Sequence, residues 1–133
     1  MIRNYYNYKK NKYGAKKTKY NGRYYASGLE AQKAEELDWL LRAGEIKEWT
    51  PQYKWELYVN GKKICGYKID FRVVNNDGVV DYIETKGAQT YDFMLKWNLT
   101  QALFDELTEG ESARLYLNQK LVKQKFLNDE EQK

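Results

Sequence analysis

Asp70-Phe71-Arg72-Val73-Val74-Asn75-Asn76-Asp77-Gly78-Val79-Val80-Asp81-Tyr82-Ile83-Glu84-Thr85-Lys86-Gly87 reads as the end of one strand, a turn and a second strand. Residues 62–74 and 79–86 are rich in Ile, Val, Tyr and Phe, and Asn75-Asn76-Asp77-Gly78 between them is hairpin chemistry. With a three-residue loop Asn76-Asp77-Gly78 and Gly78 in the left-handed conformation, Asn75 falls opposite Val79. Asp70 then falls opposite Glu84, and the alternation of side chains brings Lys86 to the same side. A two-residue loop at Asn76-Asp77 would instead set Asp70 against Ile83. The register therefore turns on Gly78.

Like charges placed opposite each other destabilise a strand pair, so Asp70 facing Glu84 needs a compensating cation. Lys86 could serve, or a metal could: Mg2+ takes oxygen ligands, usually one or two protein carboxylates, and leaves its other positions to water and phosphate. Two carboxylates and a lysine assembled this way would form a magnesium site for cutting a phosphodiester bond. The Glu-x-Lys triplet is not specific by itself, because Glu45-Ile46-Lys47 and Glu131-Gln132-Lys133 repeat it. Only the middle copy ends an apolar strand. The plainer alternative is a cross-strand ion pair on a solvated face.

A third carboxylate favours the shared site. Ser27-Gly28-Leu29-Glu30 is a capping box, in which Ser27 accepts from the Glu30 N–H and Glu30 reaches back to that of Ser27. The helix it opens spans about residues 28–43 and stops at Gly44. Glu30, Ala34, Leu37 and Leu41 fall on one stripe, so Glu30 heads the face turned to the core unless it only caps its own helix.

Residues 53–59 alternate as a half-buried strand, and Asn60-Gly61 is a strong hairpin turn into the next. After Gly87, a largely buried helix is expected over about residues 90–108, then a strand over 113–117 and a polar helix over about 118–127. The element order is α-β-β-β-α-β, one α/β domain with a mixed four-stranded sheet and an appended C-terminal helix.

A helix glutamate, then Asp70, then Glu84-x-Lys86 at a strand end, in this order, resembles the PD-(D/E)XK nuclease superfamily. Ser27-Gly28-Leu29-Glu30, Asp70-Phe71 and Glu84-Thr85-Lys86-Gly87 resemble segments of the phage endonuclease I family of Holliday-junction resolvases. Tyr13-Gly14-Ala15-Lys16-Lys17-Thr18 is similar to the opening of a family of small phage proteins of the same superfamily. The resemblance covers about residues 12–117. Ile69 stands where the superfamily name places a proline, and nothing matches the segment through which endonuclease I exchanges strands to dimerise. The resemblance implies a restriction-endonuclease-like core over residues 26–133 and a Mg2+-dependent endonuclease, with Mn2+ as a substitute. It implies that Asp70, Glu84 and the Thr85 carbonyl hold the metal, and that Glu30 binds it directly or through water. Lys86 would orient or deprotonate the attacking water, and the products would carry 5′-phosphates.

The charge names the polymer. Residues 1–29 carry eight Lys or Arg and no acid, a charge of +8, against −4 for the other 104 residues. Lys9, Lys10, Lys12, Lys16, Lys17, Lys19 and Arg23 alternate with Tyr5, Tyr6, Tyr8, Tyr13, Tyr20, Tyr24 and Tyr25, a pattern suited to phosphate neutralisation and base stacking. Residues 1–25 thus read as a basic arm for DNA, if not a solubilising one, and Lys96 as a further phosphate contact. If about six of these charges meet phosphates, affinity should fall with log salt at a slope of about −5.

With no histidine, a histidine metal site or general base is excluded. A single cysteine, Cys65, argues against a disulfide scaffold and fits a reducing cytoplasm, that of the host cell if the chain is phage-encoded. No membrane partner or small-molecule cofactor is expected. Trp39, Trp49, Trp55 and Trp97 are expected in a core or an interface. The reading that results is an endonuclease for branched DNA such as four-way junctions, acting as a homodimer because one site cuts one strand at a time. The alternatives are a nuclease for linear duplex or single strands, and a non-catalytic nucleic-acid-binding module.

Overall fold

Alternating Lys, Thr and Tyr in the basic segment form strands. In the computed structural model, which describes residues 8–10 and 16–127, these are β1 (Tyr8–Lys10), β2 (Lys16–Tyr20) and β3 (Arg23–Tyr25), an antiparallel sheet in that order. Asn21 and Gly22 turn β2 into β3 with positive φ at both positions. Ser27 then caps α1 (Gly28–Arg42), which Ala43 and a left-handed Gly44 (φ 74°) end close to the expected place. Glu30, Ala34 and Leu37 of the expected stripe are buried, whereas Leu41 is exposed, and Ala31 and Glu35 complete the buried face instead. Packing groups α1 with the basic segment: the chain forms two compact units, Met1–Glu45 and Ile46–Lys133.

The second unit is a five-stranded mixed sheet in the order β4-β5-β6-β7-β8: β4 (Ile46–Val59), β5 (Lys62–Asn75), β6 (Val80–Glu84), β7 (Ala113–Leu117) and β8 (Lys120–Lys125). Strand β4 starts earlier than expected, at Ile46, because an edge position tolerates Pro51 and a kink at Gln52 (φ 52°). Asn60 and Gly61 (φ 51° and 80°) make the expected two-residue turn. Strand β6 runs parallel to β7, and the connection between them carries α2 (Tyr91–Ala102) and the single turn α3 (Phe104–Leu107).

Two expectations fail here. The helix over residues 90–108 is interrupted at Leu103 (φ −97°, ψ 4°), and it is not largely buried: Phe93, Trp97 and Thr100 face inward while Tyr91, Met94 and Leu95 are exposed. The helix over residues 118–127 is not formed, so among the described residues the sheet has five strands rather than four and no helix is appended. Asn118 and Gln119 adopt positive φ (48° and 69°) and fold β8 back onto β7, and pairing with β7 overrides the helical preference of Lys, Leu and Gln. Lys123 Nζ donates to the Gln101 carbonyl (2.9 Å) and Lys125 Nζ to that of Asp105 (3.3 Å), satisfying acceptors at the ends of the helical segments.

The core of this unit sets Phe93, Trp97 and Phe104 against Trp55, Leu57, Tyr67, Ile69, Tyr82 and Leu115, with Trp55 and Tyr82 ring centroids 4.6 Å apart. Of the four tryptophans, Trp55 and Trp97 are buried, Trp49 is half-buried against Phe71, and Trp39 is 60% exposed.

The hairpin that decides the register forms as expected. Phe71 pairs with Ile83, Arg72 with Tyr82, Val73 with Asp81 and Val74 with Val80. The Asn75 N–H donates to the Val79 carbonyl and the Gly78 N–H to that of Asn75, both at 2.9 Å, closing a loop of Asn76, Asp77 and Gly78. Gly78 sits at φ 89°, which a side chain strains. Gly78→Ala is expected to lower stability by about 1–2 kcal/mol. Gly87→Ala, at an ordinary φ with open space around it, should change stability by less than about 0.5 kcal/mol. Urea denaturation of the two variants checks both values, and equal midpoints would contradict the assignment.

Candidate functional site

One step beyond the last recorded pair of the β5–β6 ladder lie Asp70 and Glu84, 6% and 5% exposed. Asp70 faces Glu84 closely enough to act on its ionisation. Burial first, and the facing Asp70 second, push the Glu84 carboxyl up to about 10, so it is neutral at pH 7.

Neutral donors hold both groups. Asp70 Oδ2 accepts from the Thr85 N–H (2.8 Å) and the Thr85 hydroxyl (3.0 Å). The Tyr67 hydroxyl donates to Glu84 Oε2, and the Tyr67 phenol is itself pushed up, by burial and then by Glu84. Lys86 lowers the Glu84 carboxyl only as the last of the causes acting on it, and burial and Asp70 outweigh it. No ion pair joins it to either carboxylate among the described residues, and its Nζ lies 5.1 Å from the centre of the Phe93 ring.

The strand end carrying Glu84-Thr85-Lys86 is bracketed by Asn118. Its backbone N–H donates to the Glu84 carbonyl (2.9 Å), its side-chain oxygen accepts from the Lys86 N–H (2.8 Å), and its side-chain nitrogen donates to the Lys86 carbonyl (2.9 Å). Neither Tyr67 nor Asn118 was a candidate from sequence. Tyr67 falls in the apolar alternation of β5 and reads as core, and Asn118 falls where a helix was expected.

Glu30 belongs to the first unit. It is 6% exposed, and its Oε2 accepts from the Ala26 N–H (2.8 Å), one residue before the Ser27 N–H that a capping box would use. Among the described residues no group of three or more Asp, Glu or Cys side chains is arranged to hold a metal. What the structure brings together is the pair Asp70 and Glu84. Their donor chemistry suits Mg2+, which needs only one or two protein carboxylates when water and phosphate complete its shell.

Among the other candidates, Lys17, Arg23 and Lys96 are exposed and Lys19 is half-buried, its Nζ 5.5 Å from the centre of the Tyr24 ring. Tyr24 is 51% exposed, but Tyr20 and Tyr25 are buried, and the Tyr20 hydroxyl donates to Asp38 (2.8 Å), so these two rings are unavailable to bases. Lys12, Tyr5, Tyr6 and Tyr13 lie outside the described residues, as do the side chains of Tyr8, Lys9, Lys10 and Lys16. No described helix is long and apolar enough to cross a membrane.

The family model described as "Protein of unknown function (DUF1064)" matches residues 10–126, and the chain belongs to this family. No curated protein and no solved structure matches the chain.

The raised Glu84 carboxyl has a consequence for stability. Glu84 binds its proton more tightly in the folded chain than in the unfolded one, so its contribution is fully present below the ordinary carboxylate range and is lost as pH rises toward about 10. In chelator, the melting temperature is expected to fall from about pH 5 to about pH 9, and Glu84→Gln, with a neutral amide, to remove most of that fall. Parallel profiles for the two proteins would contradict the assignment.

Proposed function

We propose that this member of the DUF1064 family is a divalent-metal-dependent nuclease that hydrolyses phosphodiester bonds in DNA, with branched DNA such as a four-way junction as its substrate. On this reading the α-β-β-β-α-β portion of the chain is a restriction-endonuclease-like core. The observation that carries the proposal is the buried pair Asp70 and Glu84, two carboxyl groups at one strand end whose recorded hydrogen-bond donors are all neutral. Two facing buried carboxyl groups resist ionising together, and a divalent cation is what would let both ionise.

Asp70 and Glu84 would hold Mg2+, with Mn2+ as a substitute, and the Thr85 carbonyl is the backbone oxygen that the superfamily resemblance adds. Bound there, the ion would polarise the scissile phosphate and stabilise the charge that develops on it. Lys86, two residues beyond Glu84 where β6 ends, would orient the attacking water, its ammonium steadied by the Phe93 ring. The Asn118 bracket keeps the Lys86 backbone in place while that side chain acts.

Register in the first sheet supports a polyanion as substrate. Lys9 is the strand partner of Lys17, and Lys10 that of Lys16. Like charges opposite each other weaken a strand pair, and phosphates would relieve that cost. Two symmetric cuts at a junction would require a homodimer.

The test is a cleavage panel of four-way junction, linear duplex and single-stranded DNA, with Mg2+ or chelator, comparing the unmutated chain with Asp70→Asn and Glu84→Ala. Cutting of the junction is expected only with metal and only by the unmutated chain. Asp70→Asn should lower the rate by at least about a hundredfold while leaving DNA affinity in chelator within about twofold. Equal cutting of duplex would remove the junction preference. Binding without cutting under either metal would make the chain a nucleic-acid-binding module.

A further inference from the structure

Tyr67 is 6% exposed, and its hydroxyl donates to Glu84 Oε2. We propose that Tyr67 is a positioning residue of the carboxylate pair, holding Glu84 so that the pair presents a fixed set of oxygens to a divalent cation. This inference rests on the nuclease reading of the same site and adds to it a residue that acts through Glu84.

The ring of Tyr67 has a packing role that needs no oxygen. It pairs across the strands with Trp55, lies 6.3 Å from the Trp97 ring between centroids, and belongs to the apolar core. Phenylalanine would fill the same space without bringing a hydroxyl out of water, a cost recovered only through a hydrogen bond. The partner recorded for this hydroxyl is Glu84.

The donors are placed in parallel on the two carboxyl groups. Thr85 engages Asp70 Oδ2 through an N–H and a hydroxyl, and Tyr67 engages Glu84 Oε2. All three donors are uncharged, so they fix orientation without neutralising the pair. A lysine or arginine in their place would supply the positive charge that the cation is to bring. Glu84 gains more from such a tether than Asp70 does, because its longer side chain has one more torsion to settle. Hydrogen-bond partners behind metal ligands act in this way, and their loss costs about 10- to 100-fold in metal affinity.

The test is calorimetric titration of the full chain with Mn2+, together with cleavage as a function of Mn2+, for the unmutated protein and for Tyr67→Phe. The variant is expected to bind Mn2+ about tenfold more weakly. It should cut slowly at limiting metal, recover at high metal, and bind DNA in chelator as the unmutated chain does. A lower melting temperature with an unchanged Mn2+ dissociation constant would overturn the inference, since that is the behaviour of a core ring alone. In a Glu84→Gln background the same substitution should leave Mn2+ binding unchanged, and an equal loss there would also overturn it. If the unmutated chain neither binds Mn2+ nor cuts, the nuclease reading fails and the inference with it. If the unmutated chain does both and Tyr67→Phe matches it, the inference alone fails.

Discussion

Two carboxyl groups buried facing each other at the end of a β-ladder are the constraint around which the second unit is arranged. The three-residue loop closed by Gly78 sets the register that brings Asp70 to Glu84, and burial on both sides denies the pair the water that would otherwise screen it. The molecule meets this by keeping a proton on Glu84 and surrounding the pair with neutral donors. On the proposed reading, a divalent cation would take the place of that proton.

The surrounding elements serve that arrangement. Strand β5 supplies both Asp70 and Tyr67, β6 ends in Glu84, and Thr85 and Lys86 continue from it. Helix α2 provides Phe93 beneath the Lys86 ammonium and Trp97 against the Tyr67 ring. The turn from β7 to β8 provides Asn118, whose side-chain amide pairs with the Lys86 backbone as another strand would. Residues distant along the chain thus fix the backbone of a single tripeptide.

Much of this was legible from residue order because the governing signals are local. Gly78 and Gly61 permit the backbone conformations that the two hairpins require, and Ser27 caps α1 through its own hydroxyl. What escaped was set by contacts across the fold. Asn118-Gln119 carries no glycine, so its turn was hidden, and the residues after it have helical preferences that pairing with β7 overrides. Leu41, Met94 and Leu95 sit at apolar positions of helical patterns yet are exposed, because periodicity does not reveal how wide a face its partner covers. At the site, the facing of Asp70 and Glu84 followed from register alone. The hydroxyl of Tyr67 and the placement of Lys86 over Phe93 depend on side-chain directions that no spacing reports.

The most direct measurement is anomalous diffraction from crystals of the chain soaked in Mn2+. The account predicts a peak at ligating distance from one oxygen each of Asp70 and Glu84, with the proton on Glu84 displaced. An empty pair at saturating Mn2+ would contradict it.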